Sequence, residues 1–318
     1  MLAGLRVYVT NEGSGDLSVI DGRTQAVVQT IALGKRPRGI QVDPRRGRVY
    51  VAVSGSPVAG PDRDERTLPR PDRAADGIAV VDTSQGRLLN VLASGPDPEQ
   101  FALSLDGARL FVANEDSAQA SIVDAGTGRI LAALPVGGEP EGVTLRPDGG
   151  VVYVTAEDDG RVYVIDTATS TVLKSVAVGS RPRAVAFLPD GSRAYVTNER
   201  DGTVSVLDAR THDVLETLTL PGDEVRPMGV VVSPDGATLY VTTGRHKRLF
   251  AIDRATLRVT GSVEVGERPW GVAIAPDGRT LYTANGPSND VSVVDTRTLQ
   301  VVRRIPVGRR PWGVAVFP

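Results

Sequence analysis

Cysteine is absent, so thiol nucleophiles, thiolate metal sites and disulfides are excluded, and either a reducing or an oxidising compartment suits the chain. Histidine occurs only at His212 and His246, which rules out a multi-histidine copper or zinc centre. The chemistry left is that of arginine, carboxylate, amide and tryptophan, and these recur in columns. Arg36, Arg181, Arg226, Arg268 and Arg310 each stand one residue before a proline, with Asp97 and Glu139 at that place in two further copies. One residue after the same proline stand Arg38, Glu99, Glu141, Arg183, Met228, Trp270 and Trp312, the last two being the only tryptophans. Guanidinium forks beside flat aromatics suit a carboxylate or phosphate on an organic body, or a protein hot spot. The competing reading is that the arginines stack on local loops and the tryptophans pad a rim.

A second column offers Asn11, Asn114, Asn198 and Asn285, three of them followed by Glu12, Glu115 and Glu199, with Glu157 at the corresponding place of its own copy. Converging oxygen donors of this kind would hold a hard divalent cation such as calcium. Asparagine is also a common turn former, so the column reads equally as architecture. His246, in Gly244-Arg-His-Lys-Arg248, is a weak candidate for a general base, against the plainer reading of a solvated loop histidine. His212 gets no role. No Ser-His-Asp order, phosphate loop or metal-binding histidine pair is present.

What must position these columns is a repeat. An aspartate closing an apolar run recurs at Asp21, Asp82, Asp124, Asp166, Asp208, Asp253 and Asp295, at spacings of 61, 42, 42, 42, 45 and 42. Pro37, Pro98, Pro140, Pro182, Pro227, Pro269 and Pro311 follow at 61, 42, 42, 45, 42 and 42, and an aromatic from Tyr8 to Tyr282 at 42, 61, 42, 42, 45 and 42, so the same insertions enter each column where it crosses them. Each unit reads as four short strands rich in β-branched and aromatic residues, with Pro-Asp-Gly turns and Asp-x-x-Thr turns between them. Four strands per unit of about 42 residues predict a propeller blade. The expectation is an all-β, seven-bladed β-propeller of four-stranded antiparallel blades, one domain over residues 1–318. The chain starts on a second strand and stops on a first, so N- and C-terminal strands must pair to close the last blade.

Departures from the repeat mark where function is to be sought. Connectivity puts the proline loops and the loops after each second strand on one face, called the top, where a ligand site is expected at the channel mouth. The first complete repeat is 19 residues longer than the others, within about residues 54–76. Pro57, Pro61, Pro69, Pro71 and the balanced charges Asp62, Arg63, Asp64, Glu65, Arg66 and Arg70 make this insertion an extended flap on the top face, covering a site or merely decorating it.

Net charge is −2, which gives no reason to expect nucleic acid, and no apolar stretch is long enough for a membrane span. No charged and apolar leader precedes the first strand, so no signal peptide is visible. Tyr8-Val-Thr-Asn11, Tyr195-Val-Thr-Asn198 and the Pro-x-Gly-Val-Ala runs at 269–273 and 311–315 resemble the YVTN-type repeat. The chain is similar to YncE-like seven-bladed propellers over nearly its whole length, a resemblance that implies fold more than function. The insertion together with Gly95-Pro-Asp-Pro-Glu-Gln100 and Asn285-Gly-Pro-Ser-Asn-Asp290 is similar to a subgroup associated with pyrroloquinoline quinone-dependent alcohol catabolism. That implies a periplasmic or secreted setting and an operon context. The Asn/Glu column is in the spirit of lactonase-type propellers, which implies a cation there. Two functions follow as expectations. The first is a non-catalytic binding or scaffold propeller, monomeric, that needs no cofactor and takes a small anionic organic ligand or a partner protein on its top face. The alternative is a metal-assisted lactonase-like hydrolase or lyase at the same place.

Overall fold

The computed structural model describes residues 4–58 and 68–318. Its 28 strands form seven four-stranded antiparallel sheets. Blade one is the closing blade. Its inner strand, Pro311–Phe317, pairs with Arg6–Asn11, which pairs with Asp16–Asp21 and then Ala26–Ala32. In blades two to seven the inner strands are Ile40–Asp43, Pro98–Leu103, Pro140–Leu145, Pro182–Phe187, Pro227–Val232 and Pro269–Ile274, and each sheet then runs outward in chain order. Inner strands of successive blades touch all the way round, including blade seven on one and one on two. The seven-bladed propeller and the closure expected from the sequence are both observed, with Arg6 opposite Phe317 and Val9 opposite Val314.

Seven apolar cores hold the ring, one between each pair of neighbouring blades. Between blades five and six, for example, Tyr195, Val204, Val206 and Leu220 pack on Val230, Leu239, Val241 and Phe250. Second and third strands are buried almost throughout, whereas outer strands such as Gln300–Pro306 expose most positions. The recurring aromatic fills these seams. Tyr153, Tyr195 and Tyr282 are fully buried, each side chain stabilising the ring by roughly 1.5–3 kcal/mol through area removed from water.

The short turns on the bottom face follow the sequence signals. In the Asp-x-x-Thr turns the aspartate accepts backbone N–H groups, as Asp166 Oδ1 does from Ala168 and Thr169 at 2.9 and 2.7 Å. These bonds hold its carboxyl below the ordinary range, the Thr169 N–H first. At the Pro-Asp-Gly turns Gly149, Gly191, Gly236 and Gly278 adopt φ between 69° and 76°, which a side chain would resist. The insertion leaves a second strand on the top face, as expected. Its described ends are tied there by Lys35 to Asp72 (2.7 Å), by Arg73 to Asp116, and by Asp76, which accepts the Gly55 and Asp97 N–H groups. Pro61, Asp62, Arg63, Asp64, Glu65 and Arg66 lie outside the described residues.

Candidate functional site

Three local devices aim side chains at the channel mouth. The residue before the recurring proline is left-handed in six blades, with φ of 41° to 53° at Arg36, Asp97, Glu139, Arg181, Arg268 and Arg310. Holding a non-glycine there costs roughly 1–2 kcal/mol, and it turns each of these side chains toward the top face. Directly after the proline the inner strand bulges, its register slipping between Pro140 and Val143 and at the same place in blades five, six and seven. The Pro-x-Gly glycine is required by close approach of the next blade. A Cβ on Gly142 would lie 2.0 Å from the Arg183 carbonyl oxygen, and one on Gly229 2.5 Å from that of Trp270.

The result is an inner ring in the order Trp312, Arg38, Glu99, Glu141, Arg183, Met228, Trp270. Half of it is charged and half apolar. Above it lies a cavity of about 520 Å³, walled by Arg36, Glu115, Glu139, Glu157, Arg268 and Arg310 among others and roofed in part by Val58, Leu68 and Pro69 of the insertion. Below it the central channel encloses about 200 Å³ between the inner strands.

Charges on the ring are complementary across blade boundaries. Arg38, almost fully buried, contacts Asp97 and Glu99 of the next blade and Glu115 at 3.3 Å. Arg183 contacts Glu141 and Glu157 of the preceding blade and its own Glu199 at 2.7 Å. Arg36 is held by Glu12 (3.0 Å) and Arg181 by Glu157 (2.6 Å). Burial raises the Asp97 carboxyl, but Arg38, the Ser54 hydroxyl, Arg36 and the Ser56 hydroxyl together outweigh it and leave the net shift downward. Burial pushes Glu141 well above the carboxylate range, whereas the Glu141 hydrogen bond and Arg183 hold Glu157 below it against its own burial.

Two groups stand outside this neutralisation. Glu139 makes no ion pair among the described residues. Burial, then Glu157, Asp158 and Glu115, push its carboxyl up to about 7. Arg268 likewise has no carboxylate within ion-pair distance among the described residues. Its guanidinium lies 5.1 Å from the centroid of Trp270, and burial lowers its pKa. Arg310, exposed, reaches only Glu12 at 3.7 Å. Blade four, which carries Glu139, is diametrically opposite the seam between blades seven and one, which carries Arg268 and Arg310. The mouth thus has an acid–base pole and an anion pole facing each other.

Trp270 and Trp312 stack with centroids 5.6 Å apart and planes at 20°, and Arg183 lies 5.2 Å from Trp270. Of the arginines picked out by the sequence, Arg226 does not join. The loop before it is three residues longer, its backbone is not left-handed, and it donates to the Arg200 carbonyl at 3.0 Å instead. His246 packs on Gly222, away from the cavity walls.

The asparagines do not converge. Asn11, Asn114, Asn198 and Asn285 are fully buried inside their own blades, their Nδ2 groups donating to Ser18, Ser121, Ser205 and Ser292 at 2.8 to 2.9 Å. Glu12 and Glu115 do line the mouth cavity, on Arg36 and Arg38, and Glu199 bonds Arg183. Among the described residues no three of His, Asp and Glu are grouped to hold a metal ion, and the Oδ1 atoms of Asn11, Asn114 and Asn198 are buried without a hydrogen-bond partner. Sequence reasoning did not give the unpaired Glu139 a role. The signal was the charge reversal of blades three and four in both columns beside the proline.

Residues 140–302, just over half of the chain, match the seven-bladed β-propeller lactonase family, and the chain belongs to that family. Among solved structures it is similar to two proteins provisionally named 6-phosphogluconolactonase. The one from Bacteroides uniformis is 19% identical, with 98% of this chain and 99% of that one covered and a TM-score of 0.79. The one from Bacteroides fragilis is 18% identical, with 99% and 98% covered and a TM-score of 0.77. Hydrazine synthase of Kuenenia stuttgartiensis is 21% identical, with 87% and 88% covered and a TM-score of 0.74. No curated protein matches the sequence. At these identities the structural neighbours speak to the fold.

Proposed function

We propose that this member of the lactonase propeller family hydrolyses a cyclic ester of a small anionic organic acid in the top-face cavity. The observation that carries the reading is the pairing of poles: a carboxyl at Glu139 and a guanidinium at Arg268, neither with an ion-pair partner among the described residues, facing each other across the mouth. Arg268 and Arg310 hold the carboxylate or phosphate of the substrate, and the ester lies toward blade four. Glu139, titrating near neutrality, takes a proton from water as the water oxygen adds to the ester carbonyl. The ring C–O bond then breaks, and the proton passes from Glu139 to the departing alkoxide. No step is routed through a metal: the four asparagines each lie within their own blade, and Glu12, Glu115 and Glu199 each meet an arginine.

The names of the Bacteroides neighbours favour a phosphorylated sugar lactone among such esters. The YVTN-type and quinone-associated resemblance adds a setting, a periplasmic hydrolase working beside alcohol oxidation, which cell fractionation tests. The central assay is acid release from a panel of aldonolactones with and without phosphate. Glu139→Gln should lower kcat by at least about 100-fold, and Arg268→Met should raise KM for the anionic members selectively. Turnover that is insensitive to Glu139→Gln refutes the mechanism. Ligand that binds at the arginines but is recovered unchanged would instead make this a binding propeller.

A further inference from the structure

The threonine of the Tyr-Val-Thr run has a use beyond the strand it belongs to. Thr242 Oγ1 accepts the Gly229 N–H of its own inner strand at 2.9 Å and donates to the Trp270 carbonyl of the next blade at 3.2 Å. Thr10, Thr155 and Thr197 make the same pair of contacts and donate to the carbonyls of Arg38, Arg183 and Met228 at 2.6 to 2.8 Å. In the other three blades the column holds Ala52, Ala113 and Ala284. The mouth residues left without a hydroxyl strut are then Glu99, Glu141 and Trp312. These are the ones gripped from the side by Arg38, Arg183 and Trp270. Strutted residues therefore hold the unstrutted ones, and each strut governs a neighbour as well as its own target.

We propose that Thr242 is a positioning residue for the anion pole. It fixes the Trp270 backbone, and through the indole face it sets the Arg268 guanidinium. This rests on the reading of Arg268 as the anion holder given above. Removing the hydroxyl leaves a buried N–H and a buried C=O without their link, which the inner strands relieve by shifting. The indole and the guanidinium stacked on it move with the strand.

Trp270 and Trp312 are the only tryptophans, so emission excited at the red edge, where tyrosine does not absorb, reports on this rim alone. The experiment measures acrylamide quenching of emission, then titrates inorganic phosphate, for the wild type, Thr242→Val, Thr242→Ser and Thr197→Val. Thr242→Val should at least double the quenching constant, and it should weaken phosphate binding about tenfold. KM for an anionic lactone should rise with kcat unchanged. Thr242→Ser should restore both readouts, and Thr197→Val, whose strut meets Met228, should resemble wild type. If Thr242→Val does not fold, Thr242→Ala, which lacks the same hydroxyl and adds no bulk, carries the same prediction. An unchanged quenching constant in the folded Thr242 variant overturns the proposal, as does an equal rise in Thr197→Val. Failure of the wild type to bind phosphate overturns the anion pole itself, while the quenching comparison still judges the strut.

Discussion

Replacing Arg183 by leucine probes the charged half of the mouth. The guanidinium is about 9% exposed and touches Glu141, Glu157 and Glu199. Arg183→Leu leaves three carboxyl groups with no cation but Arg181, and breaking a buried ion pair from one side costs about 3–5 kcal/mol. Unfolding entropy of roughly 2.1 cal/mol/K per residue makes each kcal/mol worth about 1.5 °C in a chain of 318 residues, so Tm should fall by about 5–7 °C at pH 8. The loss should depend on pH. Burial already raises Glu141 well above the carboxylate range, and losing Arg183 raises it further. A carboxyl raised in the folded state contributes stability below its unfolded pKa and loses it as pH rises through the folded value. The variant should therefore lie nearest the wild type at about pH 5 and furthest at pH 8, with Arg183→Leu/Glu141→Gln recovering at least half of the deficit. Calorimetric melts across that range decide the matter. A Tm within about 1 °C of wild type at pH 8, or a deficit of equal size at pH 5, would refute the claim that Arg183 neutralises this cluster.

Other perturbations give equally definite outcomes. His212 bonds the Tyr153 hydroxyl at 2.6 Å and is pushed below its ordinary pKa by burial, then by Arg146 and Lys174. Its neutral form favours folding, so this contribution is present above about pH 6.5 and is lost as pH falls through the lower folded value; melts from pH 7.5 to 5 should slope less in His212→Gln. Millimolar calcium should leave Tm within about 1 °C, whereas an ion at 100 times its dissociation constant would add about 2.7 kcal/mol. Gly142→Ala, whose Cβ meets the Arg183 carbonyl at 2.0 Å, should cost about 2–3 kcal/mol by denaturant titration, and Gly126→Ala, with 3.4 Å to its nearest neighbour, should cost far less.

How far the sequence could be read depends on whether a property repeats. Strands, bottom-face turns and ring closure each recur in register, and recurrence made Asp166, Gly149 and Tyr153 legible as architecture before any coordinates. The same argument places Asn11, Asn114, Asn198 and Asn285 in the repeat, as buried amides whose Nδ2 groups each bond a serine seven residues on within one blade. The poles of the mouth were harder to see, because they depend on which charges remain after neighbours have paired. Arg181 and Arg268 share a column in the sequence, yet one is held by Glu157 and the other meets no carboxylate among the described residues. Pairing crosses blade boundaries, so it shows only when columns are compared between adjacent copies rather than down one column. Arg38 beside Glu99, and Glu141 beside Arg183, are opposite charges one repeat apart. Once those pairs are struck out with Arg36–Glu12 and Arg181–Glu157, Glu139 and Arg268 are left without an ion-pair partner among the described residues. The catalytic proposal rests on that remainder, which consists of differences between repeats, and Glu139→Gln and Arg268→Met are therefore the substitutions that bear on it most directly.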